Sequence, residues 1–514
     1  MAVLEKDYKS FGYSGFLEKT NSIFGDFKDE QVIQKKEFDG TDINDKEEKI
    51  EGEIFQIKSL KKSPVETREF IGKINPNLLS GGDASGKISF TGEIKAKNIT
   101  IGRPQITIDI NESIQHAINR LDDGGGGTLF LKDGTYFTET SITVANSIKV
   151  IGVSESATII DFQNSTTNRI IVAGTNLYTT GTVIAITSRV IITGSGTEWL
   201  ANVSVGQNIF LGTKWYEIAS VVNDTTLVLS TQEGYTDDLV LPVSYRIATV
   251  AKDIDFENVK ILNCDHASGA LDYDDARNIT FRNVHSNNGV IGISFTNCSE
   301  IATDSCFFIG NSNDGIEMTN IGVLDIEGTI SSGNGVNGWD INNCKFGAWY
   351  ACVGVANTQD GFNFTTLENC AFVSCTGSEN SGHGMEFISD NDQVTIVSCT
   401  MRDNTGRGLL STATTTDLSI TSSTFVGNDS DGIELTATSD RNTITNCHFR
   451  NNGAFGIDIA NSNCDDNVIS SNAFSGNTSG PINDSGTGTE INGNIGVRIH
   501  NQSSSELRYS YLIC

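Results

Sequence analysis

From about residue 260 onward, short apolar runs alternate with polar turns, and the alternation keeps a period. A glycine followed by a hydrophobic strand recurs at Gly269, Gly292, Gly315, Gly338, Gly361, Gly384, Gly408, Gly432 and Gly456. The steps are 23 residues five times and 24 three times, and a further 24 reaches Gly480 in a less regular last repeat. After each glycine stand Ile293, Ile316, Trp339, Phe362, Met385, Leu409, Ile433 and Ile457; two residues further come Phe295, Met318, Ile341, Phe364, Phe387, Leu435 and Ile459. Side chains of a strand alternate faces, so both columns point inward and the residue between them points out. A period in the low twenties is too short for paired helices. It suits a coil of three short strands and three turns, stacked on the next coil at about 4.8 Å. The leucine and asparagine signature of a leucine-rich repeat, which has a similar period, is absent. The expected fold class is therefore all-β: a right-handed parallel β-helix, or solenoid, from about residue 101 to about 495.

Nine residues before the glycines stand Cys306, Cys352, Cys375, Cys399 and Cys447, with Thr329 and Ser423 in the same register. Such a column is internal, and stacked residues aim their Cβ atoms in parallel, which suits bridging poorly. The cysteines are expected to be reduced.

Upstream, NESIQHAINRLDDGGGG reads as a short helix with Asn111 as N-cap and Ile114, Ala117, Ile118 and Leu121 on one face, a lid over the first coil. Residues 178–249 interrupt the pattern with short alternating strands, which predicts an inserted small β-barrel or sandwich module. Its Trp199, Trp215 and Tyr216 are expected in its own core rather than on a sugar. The organisation is then an attachment or oligomerisation segment over 1–75, a β connector over 76–107, the first coils and capping helix over 108–177, the module over 178–249, the repeats over 250–495 and a C-terminal segment over 496–514.

The run from Ile108 to Phe162, with TIDINESIQHAINRL, GGGGTLFLKDGTYF and IKVIGVSESATIIDF, resembles the start of pectate-lyase-like β-helices of phage tailspikes and polysaccharide-degrading enzymes. The segments 76–107 and 178–249 are similar to small β modules of phage fibres. The resemblance implies a homotrimer, other virion tail proteins as partners of the N-terminal region, and bacterial surface polysaccharide as ligand. Three functions stay open: glycan recognition, depolymerisation by a glycoside hydrolase with lyase chemistry as the weaker variant, and a structural fibre.

Charge narrows the partners. The chain of 514 residues carries a formal charge of −29, which opposes nucleic acid and anionic membrane surfaces. No apolar stretch approaches the length of a membrane span, and the N-terminus has no signal-peptide pattern. Release with a virion, acting outside the cell from its tail, is the expected location.

The outward position reads Ser294, Glu317, Asp340, Asn363, Glu386, Leu410, Glu434 and Asp458, and the residue before each glycine is Asp314, Asn337, Asp360, His383, Arg407 or Asp431. Glycoside hydrolysis needs two carboxylates about 5–5.5 Å apart for retention or about 6.5–9.5 Å apart for inversion. A stacked stripe provides both spacings, and like charges raise one pKa. Asp340, Asp360, His383 and Glu386 are the candidate catalytic residues. Trp349, Tyr350, Glu317 and Arg407 are the candidate glycan contacts. Asp or Asn before glycine is equally an ordinary turn residue. No loop of metal-ligand spacing is present, so neither metal nor other cofactor is expected.

Overall fold

The computed structural model describes residues 47–50, 53–59, 68–70, 104–144, 147–185, 190–230 and 239–496. Most of the expected attachment segment and connector, the C-terminal segment beyond 496 and Cys514 lie outside the described residues. In the N-terminal unit, Glu47–Ile50, Glu53–Ser59 and Arg68–Phe70 form a three-stranded antiparallel sheet.

From Gln105–Ile108 to Glu490–Asn492, 38 strands join in one sheet whose coil-to-coil pairings are parallel. Leu271, Ile293, Ile316, Trp339, Phe362, Met385, Leu409, Ile433, Ile457 and Ile482 stack in register, buried except at the last. The two ends differ from the sequence reading. Leu271 pairs with Ile293, so Ala270 rather than Gly269 aligns with Gly292. Phe455 pairs with Gly480, so Pro481 takes the register of Gly456. Turns absorb the extra or missing residue while the strands stay in step.

The glycine column exists because of a neighbouring column. Asn311, Asn334, Asn357, Asn380, Asn404, Asn428 and Asn452 stand four residues before successive glycines. Each buried amide donates to the next; Asn357 Nδ2 to Asn380 Oδ1 and Asn380 Nδ2 to Asn404 Oδ1 are both 3.0 Å. The same oxygens accept backbone N–H groups, as Asn380 Oδ1 does from Asn357 at 3.0 Å. A Cβ on Gly384 would lie 2.6 Å from the Gly408 carbonyl oxygen and 2.9 Å from Asn404 Nδ2, so only glycine lets the ladder close. The corner before the cysteine column is turned by one left-handed residue per coil, among them Ser374, Ser398 and Ser422 at φ 56°, 54° and 53°. That conformation costs about 1 kcal/mol in a non-glycine residue. Coil-to-coil hydrogen bonds such as Ser374 N–H to Val397 O, 2.9 Å, offset it. The ten described cysteines are buried and unpaired. Their thiols donate to carbonyls, as Cys375 does to Trp349 O at 3.4 Å.

The capping helix α1 spans Ile114–Asp123 and buries Ile114, Ala117, Ile118 and Leu121 against the first coils. Its N-cap is Ser113, not Asn111: Ser113 Oγ accepts the N–H of His116 at 3.2 Å. Among the described residues, no helix is long and apolar enough to cross a membrane.

The module is an eight-stranded antiparallel sheet running from Thr175–Tyr178 to Arg246–Thr249, with Thr175 paired to Thr249. Trp199 and Tyr216 fill its core. Trp215 is buried at the seam with the coils, its indole N–H donating to Asn297 O at 2.7 Å. Arg246 binds Asp275 through Nε at 2.9 Å and Nη2 at 2.7 Å. Gly322 lies so close to Thr213 that a Cβ would meet its carbonyl oxygen at 2.1 Å. These contacts fasten the module to three successive coils.

Candidate functional site

The outward column Asp272, Ser294, Glu317, Asp340, Asn363, Glu386, Leu410, Glu434, Asp458 and Asn483 runs along one side of the coils. Its members are buried or half-buried, unlike a freely solvated stripe. Beside it runs a second ladder. Asn337 N–H donates to Asp314 Oδ1 at 2.8 Å, Asp360 N–H to Asn337 Oδ1 at 3.0 Å, His383 N–H to Asp360 Oδ1 at 2.5 Å, and Arg407 N–H to His383 Nδ1 at 2.9 Å. The turn residues before glycine thus cap the next coil's backbone, which is why Asp314 and Asp360 are buried.

At two coils the turn changes. The position two before the glycine is Gly382 and Gly406, whereas the other coils from Gly292 to Gly456 carry Val290, Asn313, Val336, Gln359, Ser430 or Ala454 there. A Cβ on Gly382 would lie 2.3 Å from Asp360 Oδ1, and one on Gly406 2.4 Å from His383 Nδ1. These glycines admit the side chains from the coil before. Asp360, His383 and Glu386 then bring one ligating atom each within 4.8 Å of one another. Asn363 Nδ2 lies 3.2 Å from both Asp360 Oδ2 and Glu386 Oε2.

Burial, followed by the charge of Asp360 and a hydrogen bond with it, pushes the Glu386 carboxyl up to about 7 against the pull of Arg407. Burial also raises Asp340, with Asp360 adding to it, and raises Glu317, with Asp340 and then Asp272 adding. Burial takes Asp314 up to about 6. His383 is lowered by burial, Asp360 opposing and Arg407 assisting. Since His383 Nδ1 accepts from Arg407, the ring proton sits on Nε2 in the neutral form.

The expected glycan contacts divide. Glu317 is half-buried in the stripe beside Asp340. Arg407 lies in the ladder beside the stripe but is committed: its Nε donates to Glu434 and lies 3.6 Å from Asp431. Trp349 corrects the sequence reading. It is fully buried and stacks on Phe372 at 4.5 Å, in the inward column Ile326, Trp349, Phe372, Ile396, so it touches no ligand. Tyr350 is exposed, but the strand Trp339–Tyr350 turns at Asn343 and Phe346, which places Tyr350 on a different side of the coil from Asp340. No aromatic residue stands in the outward column. Asp431, Glu434 and Asp458 form a second close trio, in which Arg407 pairs with Asp431 and Glu434; in the first trio the Asn363 amide already bridges the two carboxyls.

The family model for a right-handed β-helix region matches residues 328–503. The protein is a right-handed parallel β-helix. No curated protein matches its sequence. Similar solved structures include ORF18 of Geobacillus virus E2, at 12% identity over 75% of this chain and 59% of that one, with a TM-score of 0.37. Others are the Gp54 tailspike of Acinetobacter baumannii bacteriophage AP22 in complex with capsular saccharide, at 12% identity over 76% and 74% with a TM-score of 0.36, and the catalytic unit of a GH87 α-1,3-glucanase from Streptomyces thermodiastaticus, at 9% identity over 81% and 72% with a TM-score of 0.42. The β-helix spans less than two thirds of the first of these.

Proposed function

We propose that this β-helix recognises bacterial surface glycan along the outward column, as a tailspike-type virion protein that assembles as a homotrimer and joins the tail through its N-terminal region. The supporting observation is the long, half-buried row of hydrogen-bonding side chains that the ladders hold at one spacing per coil. Stacked coils repeat at about 4.8 Å, close to the length of a sugar unit in an extended chain. Bacterial capsular polysaccharides and lipopolysaccharides, offered to the protein on an array, should be retained selectively, and Glu317→Ala should weaken retention. If no bacterial capsule or lipopolysaccharide is bound, the reading fails.

A second reading, hydrolysis of the bound glycan, is favoured by one observation: a carboxyl pushed up to about 7 in that row. Glu386 serves as the acid that protonates the leaving oxygen. Asp340, two coils away and about 10 Å distant at Cα, acts as the base for water, which suits inversion. Asp360, buried and tied to the His383 N–H, is a positioning residue that keeps Glu386 protonated. His383 donates from Nε2 rather than acting as the base. Glu386→Gln and Asp340→Asn should each lower turnover by about a thousandfold or more with little change in glycan binding. Asp360→Asn should move the acidic-group pKa of the rate profile downward. A parent that binds but releases no oligosaccharide removes hydrolysis and leaves recognition standing.

A further inference from the structure

Charge is spread unevenly around the coils. Six successive coils cross the corner before the cysteine column with residues 348–353, 371–376, 395–400, 419–424, 443–448 and 468–473, whose strands stack in register. None of these residues, six per coil, is Asp, Glu, Lys or Arg, although 19% of the chain is charged. Val373, Val397 and Thr421 face outward and half-buried on one flank of the corner, and Val353, Thr376 and Thr400 on the other. Charge returns at every edge. On the coil before, the exposed Asp325 and Glu327 pair with Ala348 and Tyr350; on the coil after, Glu490 pairs with Val468. One side is closed by the ion pair Arg441–Asp417 at 2.8 Å and the other by Arg402–Glu379 at 3.5 Å. The charge-free area is about 24 Å tall and about 20 Å across. At about 500 Å² it matches the core of an interface that buries about 800 Å² per partner.

We propose that this corner is where the copies of the homotrimer meet, each presenting its two charge-free flanks to its two neighbours. This rests on the homotrimer reading and names its contact surface. Each chain carries a formal charge of −29, so copies joined through an average face would bury like charges against one another. At this corner they touch without doing so. Depletion of charge at the centre with charge at the rim is also the composition that marks an interface. The shape argues for three copies. A flat face suits a two-fold pair, in which one patch meets itself, whereas a ridge with two flanks sets one flank against the other flank of the next copy and closes as a ring. The left-handed Ser374, Ser398 and Ser422, exposed at the crest, then line the three-fold axis. The outward column lies on a different strand of each coil and stays open to glycan.

The test uses the full-length protein, which should sediment as three chains. Ser422→Cys places a thiol at the crest, and a short bismaleimide should then join its copies into dimers and trimers on a denaturing gel. Thr412→Cys, exposed in the same coil just past the outward column, should join none beyond the background of the parent, whose ten described cysteines are buried. Val397→Glu, added to Ser422→Cys, puts three like charges at one level of the contact and should cut the joined fraction by about tenfold. A parent of one or two chains removes the homotrimer reading, and this contact with it. A three-chain parent in which Ser422→Cys joins no better than Thr412→Cys, or in which Val397→Glu changes nothing, leaves that reading standing and overturns this one.

Discussion

The coils from Gly292 to Ile482 and the coils that carry the module reach the same fold by opposite means. In the first region each position has one role, repeated: glycine where backbones close in, asparagine where amides chain, an apolar column inside. Around the module the contacts are unique. Trp215 meets Asn297, Arg246 meets Asp275, and Thr213 packs on Gly322. A repeated ladder spreads its stability along the solenoid, as nearest-neighbour terms do. A unique seam concentrates it. The difference teaches that a substitution in the ladder harms two neighbouring coils, whereas one at the seam uncouples two bodies.

The sharpest way to break that comparison is Asn380→Ala. It leaves the Asn357 N–H without the Asn380 oxygen and takes one bond each from Asn357 Nδ2, the Gly354 oxygen and Asn404 Oδ1, the last of which keeps the Asn380 N–H. At about 1–3 kcal/mol for the orphaned N–H and about 1 kcal/mol for each further bond lost, the loss should be about 4 kcal/mol by denaturant unfolding. A loss under about 1 kcal/mol would mean the amide ladder is decorative. Gly384→Ala comes next: its methyl meets the Gly408 oxygen, and overpacking of this kind costs about 2 kcal/mol, read as a lower denaturation midpoint.

Trp215→Phe keeps the ring but deletes the donor to the buried Asn297 oxygen, for about 1.5 kcal/mol. Calorimetry should then show the module and coils melting apart, while Trp199→Phe, which removes a bond to Tyr245 within the module, should not separate them. A Trp215→Phe protein that still melts in one transition would show that the seam does not rest on this residue.

The smallest effect is on pH dependence. Glu386 at about 7 and Asp314 at about 6 lie above their unfolded values of 4.5 and 3.8. The folded state therefore holds these protons more tightly. Their contribution is complete below the unfolded values and is lost as pH rises through about 6 and 7. Asp314 is buried but Glu386 is partly open to solvent, so screening reduces the combined effect to a Tm higher at pH 5 than at pH 8 by about 2 °C. Glu386→Gln should flatten that slope; an unchanged slope would place the proton elsewhere.

Much of the regular region was legible beforehand, since a residue that recurs every 23 or 24 positions must recur in space. The inward columns and the cysteine register follow from that alone. Some legible signals were passed over. Asparagine stands four before each glycine from Gly292 to Gly456, and Gly382 and Gly406 are the only residues two before those glycines that carry no side chain. Trp349 is 23 residues after Ile326 and 23 before Phe372, a spacing that already assigns it to the interior. The N-cap was misread by two residues because Asn111 and Ser113 are both good caps, and only the geometry of the first turn chooses between them.

The sequence by itself determined the coil, because periodicity and alternation translate directly into stacking and into which side faces the core. Only the tertiary structure decided the chemistry. It joined Arg169 to His266 across an insertion that no period spans. It committed Arg407 to Glu434 instead of to a ligand. It also set Glu386 against a buried Asp360, since a pKa depends on desolvation and on charges a few ångströms away, and neither quantity is written in residue order.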